Sequence, residues 1–278
     1  MNHRADETLR ESGKGGAPVA AFEFPRSIGE RYFSHSGRVG AAVLPAVKPF
    51  RTGKSCGDAL LIDPAHRFFA VADSPERNPD ASFLFLRKYA AMLGGLPLRT
   101  FHRDFGEGDV AADAATIVER TNALMKTIDY DCNTTFTGLF VFPSEDLRKS
   151  LLVHCGDSLL YHARTETGTL EKMTETNHCF VGRVGRLYQT LLFDFQEDSL
   201  FLLFTDGIYD IARSARSRPY SSSEEALLNI VDMRSVESIC SGLAREIRGT
   251  SRSERDDLGF IVCDPNGEPD GCEFSLLM

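Results

Sequence analysis

Asp198-Ser199-Leu200-Phe201-Leu202-Leu203-Phe204-Thr205-Asp206-Gly207-Ile208-Tyr209-Asp210 decides how this chain is read. Five consecutive apolar residues, 200–204, predict a strand buried on both faces, because a strand with one wet face alternates apolar and polar residues. The run stops abruptly at Thr205-Asp206-Gly207. A carboxylate at the mouth of an apolar strand is costly unless its charge is compensated. Asp206 either caps a helix over 208–214 or offers oxygen to a hard cation. The stretch by itself leaves both readings open.

The same pattern of apolar strand and terminal acid recurs outward from it. Ala59-Leu60-Leu61-Ile62 and Phe68-Phe69-Ala70-Val71-Ala72 flank the turn Asp63-Pro64-Ala65-His66 and predict a hairpin. A turn centred between Ala65 and His66 sets Asp58 opposite Asp73 at the open end. Facing carboxylates destabilise a strand pair without a counter-ion, unless solvent screens them. Asp256 stands just before a strand over 258–263. If that strand pairs antiparallel with 200–204, Asp206 and Asp256 share one end of a sheet.

Further strands are expected at 39–44, 133–142, 151–155, 159–163 and 273–277, and a hairpin at 189–204 around Gln196-Glu197-Asp198. Helical spacing covers 80–96, with Asp80 as cap and Gly94-Gly95 as stop, and then 108–125, 223–231 and 236–247. Two blocks of strands, each followed by a pair of helices, predict an α+β fold: a four-layer α-β-β-α sandwich of two antiparallel sheets flanked by helices. Residues 1–37 read as a flexible N-terminal arm, and 38–278 as one domain.

Composition narrows the partners. A net charge of −9 argues against a nucleic-acid surface or a polybasic membrane patch. No run reaches the ~18 apolar residues of a membrane span, and residues 1–16 lack the apolar core of a signal peptide. Seven cysteines without a C-x-x-C pair fit reduced thiols, hence a cytoplasmic protein without a zinc frame. His154 and His162 read as core histidines rather than a zinc pair. Cys155 lacks the phosphate-cradling loop and arginine of a cysteine nucleophile. Arg51-Thr52-Gly53-Lys54-Ser55 is a basic loop without the G-x-x-x-x-G-K-[ST] frame. Arg213, Arg216 and Arg218 read as a solvated face or a contact for an acidic phosphoprotein.

Asp58, Asp73, Asp206 and Asp256 at the mouths of two packed sheets make a site for Mg²⁺ or Mn²⁺. Two such ions, ~4 Å apart, orient a water and stabilise in-line attack on phosphorus. In this order the motifs resemble a known family. Gly57-Asp58-Ala59 resembles its first acidic motif, and Phe69-Ala70-Val71-Ala72-Asp73 the strand into its Asp-Gly-x-Gly-Gly turn. Asn133-Thr134-Thr135 sits where a Thr motif opens a central strand. His154-Cys155-Gly156-Asp157-Ser158 resembles a Val-Gly-Asp-Ser motif. Phe204-Thr205-Asp206-Gly207 and Asp256-Asp257-Leu258 resemble the last two metal motifs. The family is the metal-dependent Ser/Thr protein phosphatases of type 2C (PPM), and the resemblance runs from about Lys54 to Cys263.

The resemblance implies a phosphoprotein phosphatase that hydrolyses phosphate monoesters with a metal-activated water and forms no covalent enzyme intermediate. It implies that Asp73 bridges two ions, with the Ser74 carbonyl beside it. Asp206 and Asp256 hold the first ion, Asp58 acts on the second directly or through water, and Asp157 matches an acid linked with a weaker third site. Arg51 or Lys54 stands in for the family's phosphate-binding arginine. The departures are specific. Ser74-Pro75-Glu76-Arg77-Asn78-Pro79 replaces the glycine turn, and Gly259 replaces a Thr. Asp206 follows Asp157 by only 49 positions, which leaves little room for a flap subdomain. This short form resembles the bacterial branch that dephosphorylates sigma-factor regulators. A rival reading stays open: a catalytically weak or inactive phosphatase fold kept as a regulatory binding or scaffold module.

Overall fold

A computed structural model of the protein describes residues 31–35, 38–46, 56–98, 105–129, 131, 133–143, 147–214, 220–232, 235–249, 255–266 and 275–277. In chain order the strands are β1 (Arg31–His35), β2 (Val39–Leu44), β3 (Asp58–Asp63), β4 (Phe68–Asp73), β5 (Phe136–Pro143), β6 (Arg148–Cys155), β7 (Leu159–Arg164), β8 (Thr169–Lys172), β9 (Gln189–Asp194), β10 (Ser199–Phe204), β11 (Leu258–Cys263) and β12 (Ser275–Leu277). The helices are α1 (Ala81–Leu93), α2 (Glu107–Met125), α3 (Ile211–Ser214), α4 (Ser223–Val231) and α5 (Val236–Arg248). Two six-stranded antiparallel sheets form, ordered β1-β2-β11-β10-β7-β8 and β12-β3-β4-β5-β6-β9.

Alternation along each strand divides the apolar side chains among three cores. In β10, Phe201 and Leu203 pack between the sheets, while Leu200, Leu202 and Phe204 meet Leu227, Ile239 and Leu243 of α4 and α5. In β3 and β4, Leu60, Ile62, Phe69 and Val71 face the other sheet. Their alternates Leu61, Phe68 and Ala70 pack with Phe85, Tyr89 and Ile117 of α1 and α2. Three cores make four layers, helix-sheet-sheet-helix. Each fully buried Leu or Phe contributes about 1.5–3 kcal/mol relative to exposure, so the unbroken apolar runs stabilise both interfaces of their sheet at once.

Strand assignment differs from the sequence expectation in three places. The predicted 189–204 hairpin does not form. β9 pairs with β6 in one sheet, and β10 pairs with β7 and β11 in the other. The connection is a tight crossover, with Ser199 N–H donating to Gln196 O at 3.2 Å and Gln196 N–H to Ser199 Oγ at 2.9 Å. Phe195 and Phe201 then meet edge to face at 5.7 Å in the inter-sheet core, which draws the two strands to opposite sides. Second, β1 lies inside the stretch assigned to the N-terminal arm and pairs with β2, Arg31 opposite Val43. Third, the polar edge strand β8 was not expected; it pairs with β7. The β3–β4 hairpin forms in the expected register, around a 3₁₀ turn at Pro64–His66. No helix among the described residues is long and apolar enough to cross a membrane.

Candidate metal centre

Strand parity puts two carboxyls in one slot. Leu60 and Ile62 of β3 point between the sheets, so Asp58 does too. Val71 and Phe69 of β4 do the same for Asp73. The register sets Asp58 opposite Asp73, and Asp58 is 1% exposed. Burial pushes the Asp58 carboxyl well above the usual carboxylate range, and the charges of Asp73, Asp257 and Asp206 push it further, against a bond from Thr205. Burial does the same to Asp73, with Asp206, Asp256 and Asp157 adding to it, while its contact with the Asp58 carboxyl opposes them. Asp157 is raised by burial and by Asp256, against the nearby His178. The structure therefore gathers Asp58, Asp73, Asp157, Asp206 and Asp256 into one electrostatic neighbourhood. No described Lys or Arg forms an ion pair with Asp58 or Asp73.

β10 and β11 pair with Phe204 opposite Phe260, which brings Asp206 and Asp256 to the same sheet end. Asp206 is not a helix cap. It opens a 3₁₀ turn, Asp206–Asp210, whose capping position is Thr205. The Thr205 hydroxyl is engaged elsewhere: it donates to Asp58 Oδ2 at 2.8 Å and accepts from Gly259 N–H at 2.9 Å. One hydroxyl thus ties the two sheets together at the site. Gly207 packs against the neighbouring strand so closely that a Cβ there would stand 1.8 Å from the Asp257 carbonyl oxygen. A Cβ at Gly259 would stand 3.0 Å from Leu60 Cδ2, so glycine at this position lets the sheets approach.

The Asp256 turn is held from three sides. Asp210 is buried, and its Oδ2 accepts from Asp256 N–H at 2.6 Å. Asp257 Oδ1 accepts from Ala46 N–H at 2.6 Å. Arg255 donates to the carbonyls of Leu44 at 2.8 Å and Pro45 at 3.1 Å. The end of β2 is therefore fixed beside Asp256, and the chain re-enters at Cys56-Gly57, directly before Asp58. Arg51 and Lys54 lie outside the described residues, in the segment between these two anchors.

Backbone clamps fix Asp73. Its N–H donates to Thr135 Oγ1 at 2.9 Å. Its carbonyl accepts from Thr135 N–H and from the Thr134 hydroxyl, both at 2.7 Å. Ser74 is buried; its N–H and hydroxyl both donate to Gly57 O at 3.1 Å, and the hydroxyl also to Pro79 O at 3.0 Å. Asn78 N–H donates to Pro75 O at 2.8 Å, so a β-turn replaces the glycine turn and leads straight into α1. Gly57 has φ +93°, and a Cβ there would lie 2.6 Å from Ser74 O and 3.5 Å from Asp73 Oδ1. Gly57→Ala is expected to cost about 1–3 kcal/mol through backbone strain and to displace the Ser74 carbonyl. Thermal melts check this; an unchanged Tm would contradict it.

His154 and His162 are buried core residues, while Arg216 and Arg218 lie outside the described residues. His154 meets the Thr137 hydroxyl at 2.9 Å and the Glu175 carbonyl at 3.1 Å, and His162 meets Ser199 Oγ at 2.8 Å. They lie in different sheets. Burial pushes the Cys155 thiol up to about 12, so it is not a thiolate nucleophile at neutral pH. Sequence reasoning missed Thr205, Asp210, Arg255 and Asp257 as supports, although the Asp256-Asp257 doublet and the Asp206-x-x-x-Asp210 spacing were visible.

The donor set fits a hard divalent cation: it is anionic, made of carboxylate oxygens, and neither Asp58 nor Asp73 has a described cationic partner. As they stand, no three acidic, cysteine or histidine side chains among the described residues are close enough together to hold an ion. Mutual repulsion opposes closer approach of like charges.

Solved structures share the fold. The PPM Ser-Thr phosphatase MsPP from Mycobacterium smegmatis, in complex with cacodylate, superposes with a TM-score of 0.54 at 19% identity over 81% of this chain and 97% of that one. RsbX in complex with magnesium gives 0.51 at 16% identity over 84% and 98%. The PP2C phosphatase domain of the cell-fate determinant SpoIIE from Bacillus subtilis, with a fragment of its regulatory domain, gives 0.55 at 14% identity over 84% and 63%. No curated protein sequence matches. The family model for stage II sporulation protein E matches residues 89–266, from α1 through Asp157, Asp206 and Asp256 to the end of β11. That match spans more than half of the chain, and the chain belongs to the SpoIIE family of PP2C-type phosphatase domains.

Proposed function

We propose that this chain is a divalent-metal-dependent phosphoprotein phosphatase that hydrolyses Ser/Thr phosphate monoesters. The observation that carries the reading is the Asp58–Asp73 pair, Asp58 buried and Asp73 half-buried, both raised in pKa by burial and by the charges of neighbouring acids, with no described Lys or Arg paired to either. Facing carboxyls withdrawn from water are unfavourable in their charged form unless a cation joins them. Asp73 would bridge two ions, Asp206 and Asp256 would hold one, and Asp58 would hold the other directly or through water. The Ser74 carbonyl lies beside Gly57 and Asp73, within reach of the same slot. Asp157 would serve a weaker third position. Mg²⁺ or Mn²⁺, when bound, supplies Lewis acidity for in-line attack of water at phosphorus. Thr134, Thr135, Asp210 and Thr205 keep the carboxylates in place; preorganised ligands need no rearrangement at the moment of reaction.

Substrate phosphate would be drawn by Arg51 or Lys54. Their segment is flanked by Ala46, held by the Asp257 carboxylate next to Asp256, and by Gly57, held by Ser74 next to Asp73. Arg forks a phosphate bidentately, whereas Lys attracts it as a point charge. The expected partner is a phosphoprotein. The rival, a phosphatase fold kept as a binding module, draws its support from the replaced glycine turn and the absence, among the described residues, of three side chains at ligating distance.

Calorimetric titration with Mn²⁺ and Mg²⁺, with p-nitrophenyl phosphate turnover in parallel, separates them. Turnover is expected only with metal and is lost in excess EDTA. At about 100 times Kd the ion stabilises the fold by roughly 2.7 kcal/mol. Full turnover in EDTA would overturn the proposal, and a Tm indifferent to both ions would favour the binding module.

A further inference from the structure

We propose that the groove between the C-terminal end of α2 and the loop at 184–186 binds an acidic segment of the phosphoprotein substrate, beside the carboxylate centre. The groove has a volume of about 440 Å³ and is lined by Asn122, Lys126, Val184, Gly185 and Arg186. Its chemistry is one-sided. Lys126 and Arg186 are exposed and make no ion pair with a described residue. The Asn122 side-chain oxygen accepts from Leu187 N–H at 2.7 Å, which leaves its amide group as a donor. The polar side chains lining the groove thus offer hydrogen-bond donors, two of them cationic, and an anion is the ligand that satisfies them.

Two features show that the concavity is built rather than a chance gap. Gly185 admits the Lys126 stem: a Cβ at that position would stand 2.9 Å from Lys126 Cγ. Arg183, exposed and carried on the same loop, has its guanidinium carbon 5.6 Å from the centroid of the Phe180 ring. Arg183 and Arg186 thus give the loop two positive charges beside Lys126, in a chain of net charge −9. A cationic patch on an acidic protein steers an acidic partner.

The groove is also near the chemistry. Val181 N–H donates to Thr134 O at 2.9 Å, and the Thr134 hydroxyl holds the Asp73 carbonyl. Gly185 follows Val181 by four positions, a chain span of at most ~14 Å. An extended peptide with its phosphorylated residue at the carboxylates would place a side chain roughly four to six residues away over the groove. The inference rests on the phosphatase reading for its substrate, but its contact does not depend on turnover.

The test is the double charge reversal Lys126→Glu/Arg186→Glu. Both side chains are exposed, so the fold is expected to persist, with Tm as the check. Turnover of p-nitrophenyl phosphate is expected to stay unchanged. KM for a phosphopeptide bearing Glu residues four to six positions from the phosphoresidue, on either side, is expected to rise about 10–100-fold, with kcat preserved. High salt is expected to shrink the difference, and a phosphopeptide with Gln in place of those Glu residues is expected to show none. Equal KM values for wild type and variant on the acidic phosphopeptide would overturn the groove.

If wild type turns over neither substrate, only the phosphatase reading fails. Fluorescence anisotropy with a labelled, unphosphorylated Glu-rich peptide then decides: binding lost on charge reversal sustains the groove, and no binding to wild type overturns it. Displacement of that peptide by inorganic phosphate at equal concentration would show a plain anion site and overturn the acidic-segment assignment.

Discussion

Asp206→Asn and Asp256→Asn are each expected to lower kcat on a phosphopeptide by about 10³-fold or more, and the double variant is expected to be little worse than either. The two residues are far apart in sequence, and the β10–β11 pairing brings them to one sheet end, where both charges act on Asp73. If they serve one ion, removing either already disables the site, so the losses do not multiply. The competing effect is small by comparison. A lost helix cap costs about 0.5–2 kcal/mol of stability and leaves kcat intact, and the capping position here belongs to Thr205. Asp210 makes the graded control. Asp210→Ala removes the acceptor of the Asp256 N–H, and loss of such a support typically costs about 10–100-fold. Asp210→Asn keeps an oxygen acceptor and is expected to lose less. Far-UV circular dichroism is expected to stay the same throughout. Wild-type turnover in Asp206→Asn, or losses that multiply in the double variant, would remove the shared-ion account.

The sandwich was legible because unbroken apolar runs such as 200–204 require cover on both faces, and the Asp58–Asp73 opposition followed from counting outward from a turn. The 189–204 connection was misread because a three-residue polar linker between strands ordinarily closes a hairpin. The distinguishing clue was burial: residues 190–192 of β9 are exposed, whereas every residue of β10 is buried. A half-exposed edge strand and a doubly covered central strand belong in different places. β8 escaped notice because Thr169-Leu170-Glu171-Lys172 is polar and depends on β7 for its pairing. The supports of the site were hidden for another reason. Thr205 meets Asp58 across 147 positions and Asp210 meets Asp256 across 46, and no local pattern encodes such partners.

Acidification of the metal-free protein is expected to act through His154 and through the Asp58–Asp73 pair, with opposite signs. His154 is fully buried. Its Nδ1 meets the Thr137 hydroxyl, and its Nε2 meets the Glu175 carbonyl and the Asn177 side-chain amide. Burial lowers its pKa from 6.5 to about 4. Below pH ~6.5 the unfolded chain takes up a proton that the folded chain refuses. Stability from His154 is therefore complete above that value and lost as the pH falls toward 4, about 2 kcal/mol by pH 5. Asp58 and Asp73 run the other way. Their folded pKa values are raised, so the folded state holds protons that the unfolded chain has released. That penalty is full above the raised values and disappears as the pH falls toward the ordinary carboxylate range. Asp73→Asn leaves both backbone clamps in place, since they use the N–H and carbonyl. In excess chelator it is expected to melt above wild type at pH 7.5, with the gap closing on acidification. His154→Gln is expected to lose less Tm than wild type between pH 7 and 5, whatever its starting value, by roughly 4–8 °C at about 2–4 °C per kcal/mol. Parallel curves for His154→Gln and wild type would show that the imidazole does not set the acid limb. A lower Tm for Asp73→Asn at pH 7.5 would show that the carboxyl pair is not under charge repulsion, and the case for a cation between them would lose its electrostatic basis.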